Sequence, residues 1–216
     1  MAIQGAIFDL DGTLLDSMHL WVGTGARYAQ SIGLSPTAED RDAMNGMMLD
    51  DMSAYILDHF SVSLTQQQLI DGINKSVEHG YFHEVQPKPT TFDVLNQLSA
   101  MGVRMCLATA TERYLTEAVL RRTGLSRYFD RIFTAGEYHT TKYRPEIFHM
   151  AREWLGTPLE STYVFEDTYA SIRGAKDGGY KVIAVEDRWA EPRREEIQAL
   201  ADIYLKQLGD LDFTKL

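Results

Sequence analysis

The sequence has almost no cysteine and no excess of positive charge. Its one cysteine, Cys106, lies in an apolar stretch, so a disulfide framework within the chain is impossible and a reducing compartment is expected. Lys and Arg number 21 against 31 Asp and Glu, which gives a formal net charge of −10, and no basic run occurs. Because binding to nucleic acid needs a cationic face, we do not expect a DNA or RNA partner.

Long hydrophobic runs are also missing. No stretch approaches the ~20 apolar residues of a membrane span, and MAIQGAIFDLDG at the N-terminus has no charged leader before an apolar segment. We therefore expect a soluble cytoplasmic protein without membrane contact. What the 216-residue chain does have is 44% hydrophobic residues, enough for one large domain or a domain with a smaller insert.

Short apolar runs alternate with helical patterns along most of the chain. The runs that predict strands buried on both faces are 5–10, 103–110, 131–136, 162–167 and 180–185. Between them, helical patterns cover 91–101, 112–124, 145–155 and 169–178, and a last helix and short strand follow. This alternation predicts an α/β fold with a doubly wound, Rossmann-like parallel sheet.

One interval breaks the alternation. From Ser17 to about Pro87 the spacing of apolar residues is helical throughout, and QPKPTTF (86–92) marks the return to the sheet. We therefore predict an all-helical insert, 17–87, after the first strand of a domain formed by 1–16 and 88–216. Ligands of open parallel sheets bind beyond the carboxyl ends of the strands, so this insert is well placed to cover one.

Polar side chains follow the predicted strands at the point where each strand ends. They are Asp9 and Asp11 after the first strand, Thr109 at the end of the second, Lys142 in the loop after the third, and Glu166 and Asp167 at the end of the fourth. Four carboxylates in a partly buried site do not all stay ionised without a cation. The oxygen-rich set favours a hard divalent metal, Mg²⁺ above all.

These motifs resemble those of a known superfamily. DLDGT (9–13), LATAT (107–111), a lysine before PEIF (145–148) and FED (165–167) resemble the four motifs of the haloacid dehalogenase superfamily, in its order. The resemblance covers essentially the whole chain and is to the branch of β-phosphoglucomutase and small-molecule phosphatases. The helical insert is similar to the cap domain of that branch.

The resemblance implies roles for the strand-end residues in phosphoryl transfer. Asp9 would be the nucleophile that forms an aspartyl phosphate, and Asp11 the general acid and then the general base. Thr109 and the amide of Ala110 would hold the phosphoryl oxygens. Lys142 would neutralise charge between the phosphate and Asp9, although TKYRP departs from the family's commoner short Lys-Pro form.

The resemblance also implies a set of metal ligands. The side chains of Asp9 and Asp167 and the backbone carbonyl of Asp11 would hold Mg²⁺, and Glu166 would join them directly or through a water molecule. The resemblance therefore implies that the chain is an enzyme that hydrolyses phosphoric monoesters.

The helical insert bears on which reaction is expected. By position, Trp21 and Leu49 replace the histidine and arginine that the mutase cap brings to its substrate, and the insert has only three Lys or Arg residues, Arg27, Arg41 and Lys75. A mutase must hold a bisphosphorylated intermediate, so we predict a Mg²⁺-dependent phosphatase of a small phosphorylated metabolite, with Trp21 facing the leaving group. A monomer is expected.

Two alternatives stay open at this point. One is a sugar phosphomutase of the β-phosphoglucomutase type. The other is a non-catalytic phospho-receiver or scaffold protein, which also uses strand-end acids, a threonine and a lysine. In a receiver, however, the acids come early in the chain and the threonine and lysine come last, whereas here acids close the series.

Overall fold

The chain divides into two compact units in the computed structural model, which describes residues 2–216. The core unit joins the residues up to Asp16 to Val85–Leu216, and the helical unit is Ser17–Glu84. The predicted insert, 17–87, ends three residues later than the helical unit (87 against 84). Met1, part of the predicted segment 1–16, lies outside the described residues. The assignment of these units as two domains stays a prediction.

The core unit contains one six-stranded sheet. Its strands are β1 (Gly5–Phe8), β2 (Arg104–Thr109), β3 (Ile132–Thr134), β4 (Thr162–Glu166), β5 (Lys181–Val185) and β6 (Ile203–Leu205). All neighbours pair in parallel, in the order β3-β2-β1-β4-β5-β6. The predicted doubly wound α/β fold is confirmed.

Ten α-helices occur within residues 2–216. They are α1 (Met18–Trp21), α2 (Thr24–Ser31), α3 (Ala38–Met44), α4 (Leu49–His59), α5 (Gln66–His79), α6 (Thr91–Ala100), α7 (Arg113–Thr123), α8 (Glu146–Leu155), α9 (Tyr169–Asp177) and α10 (Arg194–Leu200). A π-helical turn, Gly80–Glu84, extends α5. None of these helices combines the length and the apolar content that a bilayer crossing requires.

Burial explains the position of β1 in the middle of the sheet. Every residue of β1 and of β4 is buried, as expected for parallel strands covered on both faces. Phe8 pairs in register with Leu107 of β2 and Phe165 of β4, and the rings of Phe8 and Phe165 stack with centroids 4.2 Å apart. The residues that follow these three strands therefore meet at one edge of the sheet.

The helical unit has an apolar core of its own. The buried members of that core are Ala26, Met44, Met52, Ile56, Leu69 and Ile73. Two of its helices begin with reciprocal capping boxes, in which a threonine hydroxyl accepts the N–H of the third helical residue. These boxes pair Thr37 with Asp40 and Thr65 with Gln68.

Candidate active site

Asp9 lies one residue beyond β1 and is buried. Its N–H donates to the carbonyl of Phe165 (2.9 Å), so the backbone is still held by β4 at this point. Its Oδ1 accepts a hydrogen bond from Lys142 Nζ at 2.5 Å. Burial raises the pKa of Asp9 to about 7; the Lys142 ammonium opposes this rise, and the charges of Glu166 and Asp11 add to it.

Lys142 lies in the loop between β3 and α8, and its side chain is 4% exposed. The ammonium forms ion pairs with Asp9 and with Oε1 of Glu166. Burial lowers the pKa of Lys142, but the two carboxylates outweigh that effect and hold the pKa above its ordinary value. The lysine is therefore charged at neutral pH and links the ends of β1 and β4.

Glu166 ends β4 and is fully buried. Its Oε2 accepts hydrogen bonds from the N–H groups of Asp167 (2.8 Å) and Thr168 (3.0 Å), just before α9 begins. Backbone N–H groups at a helix start favour a carboxylate, so the chain itself fixes this side chain. Its other oxygen is directed toward Lys142.

Asp167 completes the acidic group. Its Oδ1 is buried and accepts no hydrogen bond from residues 2–216. Burial raises the pKa of Asp167 well above its ordinary value, and the charges of Glu166, Asp9 and Asp187 raise it further. A bound cation would satisfy a buried oxygen that has no hydrogen-bond donor.

Oxygens of three buried carboxylates lie close enough together to hold one metal ion. One oxygen each of Asp9, Glu166 and Asp167 lies within 4.8 Å of the others. When all three carboxyl groups are ionised, they and the single ammonium of Lys142 leave two negative charges. A divalent cation with a preference for oxygen ligands fits both this charge and this donor set.

Asp11 and Thr109 occupy the same edge of the sheet. Gly12, with φ of 82°, turns the chain after Asp11, and such a left-handed conformation favours glycine. The Asp11 Oδ2 accepts a hydrogen bond from Thr111 Oγ1 at 2.6 Å. Thr109 Oγ1 accepts the N–H of Thr111 at 3.1 Å, which leaves the Thr109 hydroxyl proton for another acceptor. Ala110 lies between them and is partly exposed.

Trp21 is the one predicted site residue that belongs to the helical unit. Its indole Nε1–H donates to the hydroxyl of Tyr81 at 2.6 Å, and the two rings meet edge to face. The donor of the indole is therefore used within the helical unit. The expected contact of Trp21 with a leaving group stays a prediction.

Sequence reasoning missed three residues around this site: Thr111, Asp187 and its partner Lys88. Thr111 is the second threonine of LATAT, and only the first threonine, Thr109, ends the strand. Asp187 follows β5, as Asp9 follows β1, and its Oδ2 pairs with Lys88 Nζ at 2.9 Å. The signal for Asp187 was present in VEDR (185–188), since an acid after a buried strand is the same pattern that located Asp9.

A comparison with protein families identifies the chain. A family model described as haloacid dehalogenase-like hydrolase matches residues 6–185. The chain belongs to this family. The resemblance predicted from the four motifs is therefore confirmed, and the chain is an enzyme, a phosphohydrolase of the haloacid dehalogenase-like hydrolases.

Curated relatives within this family match most of the chain. The fructose-1-phosphate phosphatase YqaB of Escherichia coli is 28% identical over 182 residues, which is 84% of this chain and 95% of that protein. The pyrophosphatase PpaX of Bacillus cereus is 26% identical over 214 residues, which is 98% of this chain and 95% of that protein.

A solved structure shares the fold of this haloacid dehalogenase-like hydrolase. CbbY from Rhodobacter sphaeroides, crystallised with phosphate, has a TM-score of 0.82 and 23% identity, and the match covers 97% of this chain and 96% of that one. At this level of identity the likeness concerns the fold alone.

Proposed function

We propose that the protein is a Mg²⁺-dependent phosphatase of small phosphorylated metabolites that works through an aspartyl phosphate on Asp9. The observation that carries the proposal is the buried group of Asp9, Glu166 and Asp167, in which Asp9 also contacts Lys142. A carboxylate held between a lysine and a cation site has the charge neutralisation that a nucleophile needs to approach an anionic phosphoryl group.

The proposed first half-reaction transfers the phosphoryl group to the protein. A carboxylate oxygen of Asp9 forms a bond to phosphorus, and the bond from phosphorus to the leaving oxygen breaks. Asp11 gives its proton to that oxygen, so the product leaves as an alcohol. Thr109, the amide of Ala110 and Lys142 hold the phosphoryl oxygens during the transfer.

The second half-reaction restores the enzyme. Water attacks the phosphorus of the aspartyl phosphate, Asp11 accepts a proton from the water, and the bond to Asp9 breaks to release phosphate. Thr111 keeps the carboxyl group of Asp11 in place through its hydroxyl.

Mg²⁺ would be held by the side chains of Asp9 and Asp167 and the backbone carbonyl of Asp11, with Glu166 as a direct or water-mediated ligand. When bound, it would supply positive charge that offsets the carboxylates and the phosphoryl oxygens. The acidic group fits a divalent cation in charge and in donor type.

The helical unit supports a phosphatase over a phosphomutase. Arg27 donates from both terminal nitrogens to the carbonyls of Val22 and Leu20, each at 2.6 Å. Lys75 pairs with Glu78 at 2.5 Å. Two of the three Lys and Arg side chains of this unit thus have partners within it, which does not favour a second phosphate on the substrate. A receiver or scaffold role is set aside because the chain belongs to a family of hydrolases.

The proposed substrates are small phosphorylated compounds, and the named relatives act on fructose 1-phosphate and on pyrophosphate. A screen of phosphorylated metabolites would include both, together with the isomerisation of glucose 1-phosphate as the test for a mutase. The expected cytoplasmic location and monomeric state stay predictions.

The direct test is phosphate release from an aryl phosphate, with and without Mg²⁺, by the wild-type protein and by Asp9→Asn. We expect release only by the wild type and only with the metal, while circular dichroism shows the same fold for both. Full activity in Asp9→Asn would refute the proposal. Chelation should abolish activity, and added Mg²⁺ should restore it.

A further inference from the structure

We propose that Gly174 is a positioning residue for Lys142, because only a residue without a Cβ lets the lysine's backbone lie against α9. This inference rests on the proposed function, in which Lys142 contacts the phosphoryl group. Gly174 lies in the second half of α9, more than thirty residues from the lysine in sequence, and no sequence motif connects the two.

The contact is between backbone and backbone. A Cβ at Gly174 would lie 2.3 Å from the carbonyl oxygen of Lys142, 2.8 Å from the carbonyl carbon of Tyr143 and 3.0 Å from the N of Arg144. A flexible side chain could turn aside from such a clash, but main-chain atoms cannot move without carrying the whole loop with them.

At two other helical glycines a Cβ would meet side chains rather than backbone. At Gly25 the nearest atoms to a Cβ belong to the side chain of Met52, and at Gly72 they belong to the side chain of Tyr28. Gly174 has ordinary helical geometry, and no positive φ requires a glycine there. Alanine would favour the helix over glycine, so helix stability does not explain this residue. The space that Gly174 leaves for the backbone of residues 142–144 explains why a glycine stands there.

Helix α9 thereby helps to position both Glu166 and Lys142 in the proposed site. The N–H groups just before α9 fix Glu166, and Gly174 in the same helix admits the backbone of Lys142. The ammonium then contacts both Asp9 and Glu166, with almost no exposure to solvent. A backbone displacement at residue 142 would therefore move the ammonium relative to Asp9.

The size of that displacement follows from the distances. Ordinary van der Waals contact begins at 3.4 Å, whereas a Cβ would lie 2.3 Å from the carbonyl oxygen, so Gly174→Ala must move the loop by about 1 Å. A misplacement of this size in a catalytic group costs on the order of a hundredfold in rate. We expect kcat for an aryl phosphate to fall about 10- to 100-fold.

A double-mutant cycle tests whether Gly174 acts through the lysine. Kcat is measured for the wild type, Gly174→Ala, Lys142→Ala and the double variant. If Gly174 positions Lys142, its substitution has an effect of less than about twofold once the lysine is gone, because coupled residues are not additive. An equal loss in both backgrounds overturns the proposal.

A second readout does not depend on activity. Reductive methylation of the native protein, followed by peptide mass spectrometry, reports which lysines are accessible. Buried Lys142 should stay unmodified in the wild type and become modified in Gly174→Ala. Ile172→Val, a small loss of buried volume in the same helix, is the control and should leave Lys142 unmodified and kcat unchanged within about twofold.

The outcomes separate the two proposals. An inactive wild type, or a Lys142→Ala variant as active as the wild type, refutes the proposed function, and methylation then still tests the placement of the lysine. Wild-type kcat in Gly174→Ala, or an unmodified Lys142 in it, overturns the inference. A Gly174→Ala protein that does not fold also overturns it, because the glycine would then serve the core rather than the lysine.

Discussion

The charges around Asp9 are out of balance without a cation. Three buried carboxylates lie close together, one ammonium pairs with two of them, and burial raises the pKa values of Asp9 and Asp167. Lys142 offsets part of the charge, and the remainder matches a divalent ion. Two aspartates so near each other can also differ in role. Asp9 contacts the lysine, whereas the partly exposed Asp11 accepts a hydrogen bond from the neutral hydroxyl of Thr111.

Thr111 should matter for turnover although it ends no strand. Thr111→Val removes the hydroxyl that donates to Asp11 at 2.6 Å and nearly keeps the side-chain shape. In the second half-reaction Asp11 acts as an ionised carboxylate, and a hydrogen bond to a charged group is worth about 1.5–3 kcal/mol, so kcat for an aryl phosphate should fall about tenfold or more. Steady-state kinetics measure this fall. Thr111→Ser keeps the hydroxyl and should keep most of the activity, and equal activity of the valine and serine variants would show that the bond has no catalytic role.

The positions of the site residues could be predicted where they depend on strand ends. Parallel strands bring their carboxyl ends to one edge, so Asp9, Thr109, Glu166 and Asp167 follow from the apolar runs alone. The position of Lys142 was predicted from the loop after the third strand, but its role needed the resemblance, because most loop lysines are exposed to solvent. Thr111 could not be predicted, because its contact with Asp11 depends on how the turn after β2 folds back.

At the scale of elements, the start of α5 offers a test of local stability. The exposed Thr65 caps this helix through the N–H of Gln68, and the Gln68 side chain accepts the N–H of Thr65 at 2.8 Å. Thr65→Ala should lower the free energy of unfolding by about 1 kcal/mol, as measured by urea denaturation. Thr65→Ser keeps the cap oxygen and serves as the control. If alanine and serine prove equally stable, the capping box contributes nothing here.

Element boundaries show the limit of reading helices and strands from periodicity. The third strand was predicted over 131–136, but β3 ends at Thr134. The N–H of Ala135 still bonds to the carbonyl of Thr109, but the N–H of Tyr138 already donates to the carbonyl of Thr134, so the chain turns there. Gly174 appears in sequence only as a weak point of a helix. Its significance depends on a loop that the fold brings against it, which periodicity does not report.

At the scale of the whole molecule, metal and protons should compete for the same carboxylates. Without metal the pKa of Asp9 is about 7 when folded, above the ordinary value of 3.8 that applies to the unfolded chain. The folded state thus binds a proton more tightly, and ionising Asp9 costs stability as the pH rises from about 4 to about 7. The proposed ligand of Mg²⁺ is the ionised form of Asp9, so the stabilising effect of the ion should grow over that range.

Thermal unfolding measures this competition. The rise in Tm on adding about 10 mM Mg²⁺ should be larger near pH 8 than near pH 5. Asp167→Asn, which removes one proposed ligand, should show a much smaller rise at either pH. A shift that is the same at both pH values, or that Asp167→Asn retains in full, would contradict the assignment of the acidic group as the metal site.

The measurement that tests the central claim most directly is acid quenching during turnover of an aryl phosphate, followed by mass spectrometry of the peptides. Acid preserves an acyl phosphate long enough to locate it. The account predicts a phosphate on the peptide that contains Asp9, at Asp9 itself, and none in Asp9→Asn. A covalent phosphate on any other side chain, or turnover by Asp9→Asn at the wild-type rate, would contradict it.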